Sequence, residues 1–378
     1  MSISVSTPGL TEAAIERVER LREGLRERDL DALLVKDLTD VRYLTGFTGS
    51  SALALISSRP VSPEDAADRF FTDFRYASQS SEQVRGSFAR EIASNLLDAA
   101  ARSLAGGEGR LGFDDETVTV ADHARLRGKL DVAWELVPFT GPVRALRMVK
   151  DADEIVRIRA AAELADDALR AVLEEGLAGR TEREVALALE ERMRVLSAQA
   201  ASFPTIVESG PHGALPHAQP RAEEIAGDVL VTIDWGASLD GYCSDCTRTY
   251  ATGDAIAEEA REVYELVRAA QAAGVAAVRP GPTGVELDSR VRELIVAGGH
   301  GEHFGHGLGH GVGMEIHEGP RLSQTGSKDP LVAGNVVTIE PGVYLPGRFG
   351  VRIEDLVAVA PDGADVLTRL PKELTVVS

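Results

Sequence analysis

Two stretches of this chain, 102 residues apart, carry the same punctuation. A long helical pattern from about Asp153 to Glu175 runs into Gly176, and Thr181 with Glu184 three positions on opens a second helix. A long pattern from Ala255 to Val278 then runs into Pro280-Gly281, and Thr283 with Glu286 opens another helix to Val296. This internal repeat constrains the fold more than composition does. Two copies of helix, helix and following sheet, facing each other, enclose a cleft at a pseudo-twofold axis.

Each copy leads into carboxylates set in β-rich sequence. After FPTIVESG and Pro216-His217-Ala218, the run DVLVTIDWGASLDGYCSDCTRTYAT reads as a hairpin with Asp234 and Asp245 eleven positions apart. Opposite positions of an antiparallel pair joined by an even-length turn share a face, so the two carboxylates can converge. In the second copy, VVTIEPGVYLPGRFGVRIEDLVAV places Glu340 and Glu354 fourteen apart across a Pro-Gly turn. Strand-borne acids in apolar surroundings are costly unless neutralised, and only Arg348 and Arg352 lie nearby in sequence.

The stretch GHGLGHGVGMEIHE, Gly305 to Glu318, holds three of the eight histidines, His306, His310 and His317. So many glycines suit neither a helix nor a strand interior, so the stretch reads as an ordered loop. Its close-approach backbone fits a metal or substrate site. His306 and His310 have the zincin spacing of four, but Gly307 stands where that motif needs Glu. The four carboxylates carry −4, which two divalent cations cancel and one does not. Oxygen-rich ligation with one imidazole suits manganese, cobalt, iron or zinc, and two thiols are too few for a structural zinc site. The expectation is a two-metal hydrolase, whose ions, roughly 3.5–4 Å apart, share a water and polarise a carbonyl.

At 378 residues the chain calls for two domains. Its amino-terminal half reads as a helix from Thr11 to Arg28 with Ile15, Val18, Leu21 and Leu25 on one face, then a strand within Asp31 to Lys36. A Gly-punctuated strand region from Tyr43 to Ile56 follows, then a surface loop from Ser57 to Arg69 and a strand opening at Phe70-Phe71. A helix from Glu91 to Leu104 and a strand from Arg110 to Asp114 complete an α/β domain ending near Phe139. VPFTGPVRALRMVKDADE marks the boundary. A net charge of −20 opposes binding to nucleic acid or to an anionic membrane surface. No run of eighteen apolar residues spans a membrane and no signal peptide opens the chain, so a cytoplasmic protein is expected. Cys243 and Cys246 have C-x-x-C spacing in a strand context and read as reduced thiols rather than a redox pair. His300 and His303 fall in what reads as a solvated loop, and His123 and His212 have no supporting pattern.

The set DWGA, SDCTRT, GHGVGMEIHE, TIEPGVY and RIED closely resembles the pita-bread metallopeptidases, specifically their Xaa-Pro group of prolidases and aminopeptidases P. RYLTGFTGSSALAL resembles the creatinase-type domain that precedes the catalytic one in that group. The resemblance implies an α/β amino-terminal domain over residues 1–139, a linker at 140–152, and an α+β pita-bread catalytic domain with internal duplication over 153–378. It also implies Asp234, Asp245, His310, Glu340 and Glu354 as ligands of two divalent ions, manganese foremost, with Asp245 and Glu354 bridging. Glu340 then takes the proton from the attacking hydroxide, His217 stands on the substrate side, and His317 steadies the tetrahedral intermediate. His306 lines the proline side, and Arg352 and Tyr344 hold the ligands. Proline-containing dipeptides or short peptides are the implied substrates, and a homodimer or homotetramer the implied assembly. Cys246 stands where relatives often carry methionine. The interval from Glu340 to Glu354 is shared by compact prolidases and small aminopeptidases P and leaves the two activities open. Alternatives on the same fold are a non-catalytic binding protein and a creatinase-like C–N hydrolase. Methionine aminopeptidase fits less well with so large an amino-terminal domain.

Overall fold

A computed structural model describes residues 10–59, 68–84 and 88–378, and the chain divides into two compact units, Met1–Arg147 and Met148–Ser378. The first unit is built on a six-stranded mixed sheet of β1 (Ala32–Val35), β2 (Ala52–Ser57), β3 (Asp68–Thr72), β4 (Phe88–Ile92), β5 (Gly109–Phe113) and β6 (Trp134–Pro138). Their order is β4-β3-β2-β1-β5-β6. β1 pairs antiparallel with β2 and parallel with β5, and its four residues are buried, as a strand covered on both faces requires. The helix Leu10–Glu27 buries Val18, Leu21 and Leu25, but Ile15 is 51% exposed, so its apolar stripe is narrower than the sequence pattern suggested.

The stretch from Tyr43 to Ile56 departs from the expected strand. Leu38–Thr45 is a helix, because Asp37 caps it by accepting from the N–H groups of Thr39 and Asp40, and Gly46, at φ +78°, ends it by donating to Arg42 O. Those two local stops outweigh the β propensity of Tyr43 and its neighbours. The helix expected from Glu91 begins only at Leu96. Asn95 caps it through the Asp98 N–H, and Glu91 instead extends β4, which pairs parallel with β3. Of the surface loop expected from Ser57 to Arg69, residues 60–67 lie outside the described residues, while Asp68 and Arg69 open β3. Residues Pro142–Arg147 are helical, and Arg147 pairs with Asp40 at 2.7 Å in the interior of the first unit.

The second unit displays the repeat. Helices Ala152–Leu173 and Glu182–Val195 form one pair, and Glu258–Ala277 and Gly284–Ala297 the other. Each second helix opens with a complete capping box, Thr181 with Glu184 and Thr283 with Glu286. Each cap threonine also bridges antiparallel to a later residue of its own half, Thr181 to Glu224 and Thr283 to Pro330.

The strands of this unit are β7 (Ala200–Ala201), β8 (Ile206–Ser209), β9 (Leu230–Trp235), β10 (Ala237–Leu239), β11 (Tyr242–Cys243) and β12 (Cys246–Ala251) in the first half. The second half holds β13 (Gly309–Gly311), β14 (Glu318–Leu322), β15 (Val336–Ile339), β16 (Gly342–Leu345), β17 (Phe349–Arg352), β18 (Asp355–Ala360) and β19 (Gly363–Val366). They form sheets ordered β12-β9-β8 and β14-β13-β15-β18-β19, with β11-β10-β7 and the hairpin β16-β17 beside them.

The core is doubled as well. Leu169, Val185, Leu189 and Met193 pack with Val231, Ile233 and Trp235, whereas Val263, Val267, Leu287 and Val291 pack with Ile339, Val343 and Val357. Each of these large apolar side chains contributes about 1.5–3 kcal/mol on leaving water. Trp235 adds a hydrogen bond from Nε1 to Ala165 O at 3.0 Å, which ties β9 to its first helix. Among the described residues no helix is long and apolar enough to cross a membrane.

The matched caps make a matched prediction. Thr181→Ala and Thr283→Ala should each lower the unfolding free energy by about 0.5–2 kcal/mol, read as a lower midpoint in chemical denaturation. An effect from one variant alone would deny the caps equal standing.

Candidate metal centre

β9 is the central strand of its sheet, and Asp234 near its end is bracketed by Ile206 on one side and Thr247 on the other. The residue opposite Asp234 is therefore Thr247, not Asp245 as the simple hairpin suggests. β10 and β11 form a small hairpin of their own inside the connection, with Ser238 paired to Cys243. Asp245 precedes β12 and lies two residues from Thr247, so it shares that face and meets Asp234 diagonally.

The second half repeats the device. Ile339 pairs with Asp355, and Glu340 follows while Glu354 precedes that last pair of the β15–β18 ladder. The Glu354 N–H donates to Thr247 O at 3.0 Å, joining the two halves where their acids meet.

Asp234, Asp245 and Glu354 each bring a carboxylate oxygen within 4.8 Å of the others, and all three residues are buried. Asp234 Oδ1 and Glu354 Oε1 are buried with no hydrogen-bond partner among the described residues. Their sister oxygens are engaged: Arg352 Nη2 donates to Asp234 Oδ2 at 2.8 Å, and Thr247 Oγ1 donates to Glu354 Oε2 at 2.6 Å. Glu340 Oε1 accepts from Thr338 Oγ1 at 2.9 Å.

Burial, and then the negative charges of their neighbours, push the Asp245 and Glu354 carboxyls well above the usual carboxylate range. Burial pushes Glu340 up to about 7. Such a group binds positive charge avidly. The orphaned oxygens and the hard donor set fit divalent cations.

His310 completes the set from β13, so part of the stretch read as a loop is a strand. The reason is steric: a Cβ on Gly309 would stand 2.1 Å from Thr338 O, and one on Gly311 would stand 2.0 Å from Gly319 O. Glycine there is what allows β13 to squeeze between β14 and β15. His310 Nδ1 donates to Gly311 O at 3.1 Å, which leaves Nε2 as a lone pair. Burial lowers its pKa, and that neutral Nε2 faces Glu340 Oε1 at 3.4 Å and Asp245 Oδ2 at 3.6 Å. A lone pair set against carboxylate oxygens is repelled unless a proton or a metal cation lies among them. Ligand atoms about 2.0–2.2 Å from a shared metal sit roughly 3–3.5 Å from one another.

The remaining predicted residues surround one cavity of about 510 Å³, lined among others by His217, His306, His317, Arg321, Tyr344 and Arg352. Arg352 is its hub. It is buried and donates from Nε to Thr247 Oγ1 at 3.1 Å and from Nη1 to Tyr344 Oη at 2.9 Å, besides its bond to Asp234. Tyr344 Oη lies 2.9 Å from His306 Nε2, while His306 Nδ1 lies 2.8 Å from Gly307 O. A carbonyl only accepts, so Nδ1 carries the proton and the order is Arg352 to Tyr344 to His306. Burial, reinforced by Arg352, lowers His306 to about 4 and keeps it neutral. His317 packs edge-on against His310, with centroids 4.4 Å apart. Arg348, the other cation near the second pair of acids in sequence, pairs instead with Glu259.

Several residues escaped the sequence reading. Thr247 and Thr338 each stand two positions from a carboxylate on the same strand face, a period-2 signal that was available. Glu208 in FPTIVESG is likewise an acid borne on a buried strand. Arg321 joins the cavity wall from β14. His300 and His303 lie at a 3-10 turn over Gly301–His303 with Nδ1 atoms 3.2 Å apart, rather than in an open loop. His212 is held by Glu182 at 2.9 Å. Cys243 and Cys246 are buried thiols that form no disulfide with each other.

Fold and site together are those of a metallo-exopeptidase. The chain belongs to metallopeptidase family M24, whose model matches residues 156–361, and carries a creatinase/prolidase N-terminal domain over residues 17–149. It is 37% identical over 363 residues to a Xaa-Pro dipeptidase of Pyrococcus furiosus, covering 95% of this chain and 99% of that one. Among solved structures it resembles a Xaa-Pro dipeptidase from Bacillus anthracis, with TM-score 0.90 and 38% identity, over 96% of this chain and 99% of that one. It also resembles an X-Pro aminopeptidase from Thermotoga maritima, with TM-score 0.85 and 33% identity, over 96% and 100% of the two chains.

Raised carboxyls tie cation binding to pH. With Glu340 near 7, protons must leave before a cation enters, so metal titration should release protons and affinity should fall as the pH drops below about 7. Calorimetry in buffers of different ionisation enthalpy measures both. An affinity indifferent to pH would take these carboxyls out of the site.

Proposed function

We propose that the protein hydrolyses the bond between an amino-terminal residue and proline, acting on Xaa-Pro dipeptides with the help of two divalent cations. What supports this reading is one conjunction: likeness to Xaa-Pro dipeptidases along nearly the whole chain, and unpaired buried carboxylate oxygens meeting at a cavity. Asp234, Asp245, His310, Glu340 and Glu354 would hold the cations, manganese foremost, with cobalt, zinc or iron as substitutes. Such ions supply Lewis acidity to the scissile carbonyl and lower the pKa of water.

The chain's own residues do the rest. Glu340 would receive the proton of the attacking water, because its carboxylate faces the cavity beside the cation-binding oxygens, where a general base is needed. His317 is lowered by burial and then by His310, so it is neutral and can donate a hydrogen bond to the developing oxyanion. His217 faces the same cavity from the opposite loop. Phe203, Pro204, Ile206 and Ile316 give the cavity an apolar wall suited to a proline ring. Arg352 is engaged with Asp234, Thr247 and Tyr344, so among the described residues of the cavity wall Arg321 is the arginine left to meet a substrate carboxylate. That favours a dipeptide, whose carboxylate lies just beyond the scissile bond. The likeness to an X-Pro aminopeptidase supports a second reading, in which longer peptides are trimmed.

The deciding measurement compares an Xaa-Pro dipeptide, an Xaa-Pro-Xaa tripeptide and an Xaa-Ala dipeptide, after chelation and reloading with each metal. Turnover of the Xaa-Pro dipeptide and silence of the chelated protein are expected. Turnover of the tripeptide alone would favour the aminopeptidase, and equal cutting of Xaa-Ala would remove the proline preference. Glu340→Gln should retain most bound metal by elemental analysis yet lose turnover by about 100-fold or more. Surviving activity would deny Glu340 the role of base.

A further inference from the structure

The loop that brings His217 to the cavity is held by two carboxylates. Its feet, Ser209 and Arg221, both reach Glu182, the first residue of its helix. Ser209 donates from its N–H at 2.9 Å and its Oγ at 2.8 Å, and Arg221 from its N–H at 3.0 Å. The crest is pinned from below. Arg352 Nη1 donates to Pro216 O at 3.3 Å, and the Ala218 N–H donates to Glu208 Oε1 at 2.7 Å. His217 lies between these two pinned neighbours. No described residue hydrogen-bonds its ring, so its place in the cavity rests on the backbone on either side.

Glu208 is an expensive residue for that work. It stands on β8 opposite Thr232, fully buried, and its Oε2 meets no hydrogen-bond partner among the described residues. A buried polar atom left unsatisfied costs about 1–3 kcal/mol, which an apolar side chain at the same strand position would avoid. Among the described residues, the one hydrogen bond its carboxyl makes is to the N–H of Ala218, the residue after His217.

We propose that Glu208 is a positioning residue for the hydrolysis: through the Ala218 N–H, its Oε1 sets where His217 presents its imidazole to the substrate. This rests on the peptidase reading above. Burial pushes the Glu208 carboxyl up to about 8, so at neutral pH it accepts the N–H as a neutral acid, a form that glutamine copies.

The test compares Glu208→Gln, Glu208→Met, His217→Ala and the Glu208→Met/His217→Ala double variant. Methionine fills a similar volume without a comparable acceptor. Glu208→Met should lower kcat by about 10- to 100-fold with bound metal per chain unchanged. Glu208→Gln should restore it, and Glu208→Met should cost nothing further once His217 is gone. A loss that glutamine does not rescue, or one equally large without His217, overturns the proposal. Should Glu208→Met fail to fold, Ala218→Pro removes the same hydrogen bond from the donor side, and an unchanged kcat there overturns it equally. Wild-type protein that turns over no Xaa-Pro peptide would instead sink the peptidase reading. Positioning is then read from the His217 ring-proton resonance, identified by its disappearance in His217→Ala. A signal shared by wild type and Glu208→Gln but shifted or split in Glu208→Met supports the proposal, and one unmoved in Glu208→Met overturns it.

Discussion

Repulsion among buried like charges governs the catalytic unit. Asp234, Asp245 and Glu354 hold oxygens within 4.8 Å of each other, where two unit charges repel by roughly 3–4 kcal/mol at an effective dielectric of 20. Arg352 offsets part of this at Asp234, but one guanidinium cannot balance these acids together with Glu340. Asp234 and Glu354 are left half-satisfied, one oxygen held by Arg352 and by Thr247 respectively and the other without a hydrogen-bond partner among the described residues, while Thr338 holds one oxygen of Glu340. What remains is demand for positive charge at a fixed place.

The duplicated scaffold is what makes that demand tolerable. Each helix pair has its own apolar core, and each places its acids where a β ladder ends. The acids are thus carried by strands that are braced by a separate mass of buried side chains. The cavity wall mixes strand residues, Arg321, Tyr344 and Arg352, with His217 from a loop and His306 and His317 from the glycine-rich stretch around β13.

Glu354 and Asp355 show how closely the environment is partitioned. They are consecutive, and strand alternation sends them to opposite sides. Asp355 meets Arg248 at 2.8 Å, Lys372 at 2.5 Å and Gln271 at 2.9 Å. Burial opposes its charge, yet those cations hold its carboxyl down at about 2, whereas burial and neighbouring acids drive Glu354 up. Adjacent acids of similar chemistry differ because one is saturated with partners and the other is not.

Periodicity and local chemistry determined much of this protein before any folding was considered. The repeat was legible because capping boxes use residues three apart, and the acids stood out because carboxylates are rare on apolar strands. Where local signals compete, as at Tyr43 between an Asp37 cap and β-prone neighbours, the cap prevails and the segment is helical. Only the tertiary structure decided which acids stay unpaired, since their partners come from far along the chain: Arg352 for Asp234, Thr247 for Glu354, Lys372 for Asp355. It also decided that the glycines around His310 serve a strand, because the carbonyls that forbid a Cβ there belong to Thr338 and Gly319. A sequence shows which groups a chain owns, and burial with long-range pairing settles which are left wanting charge.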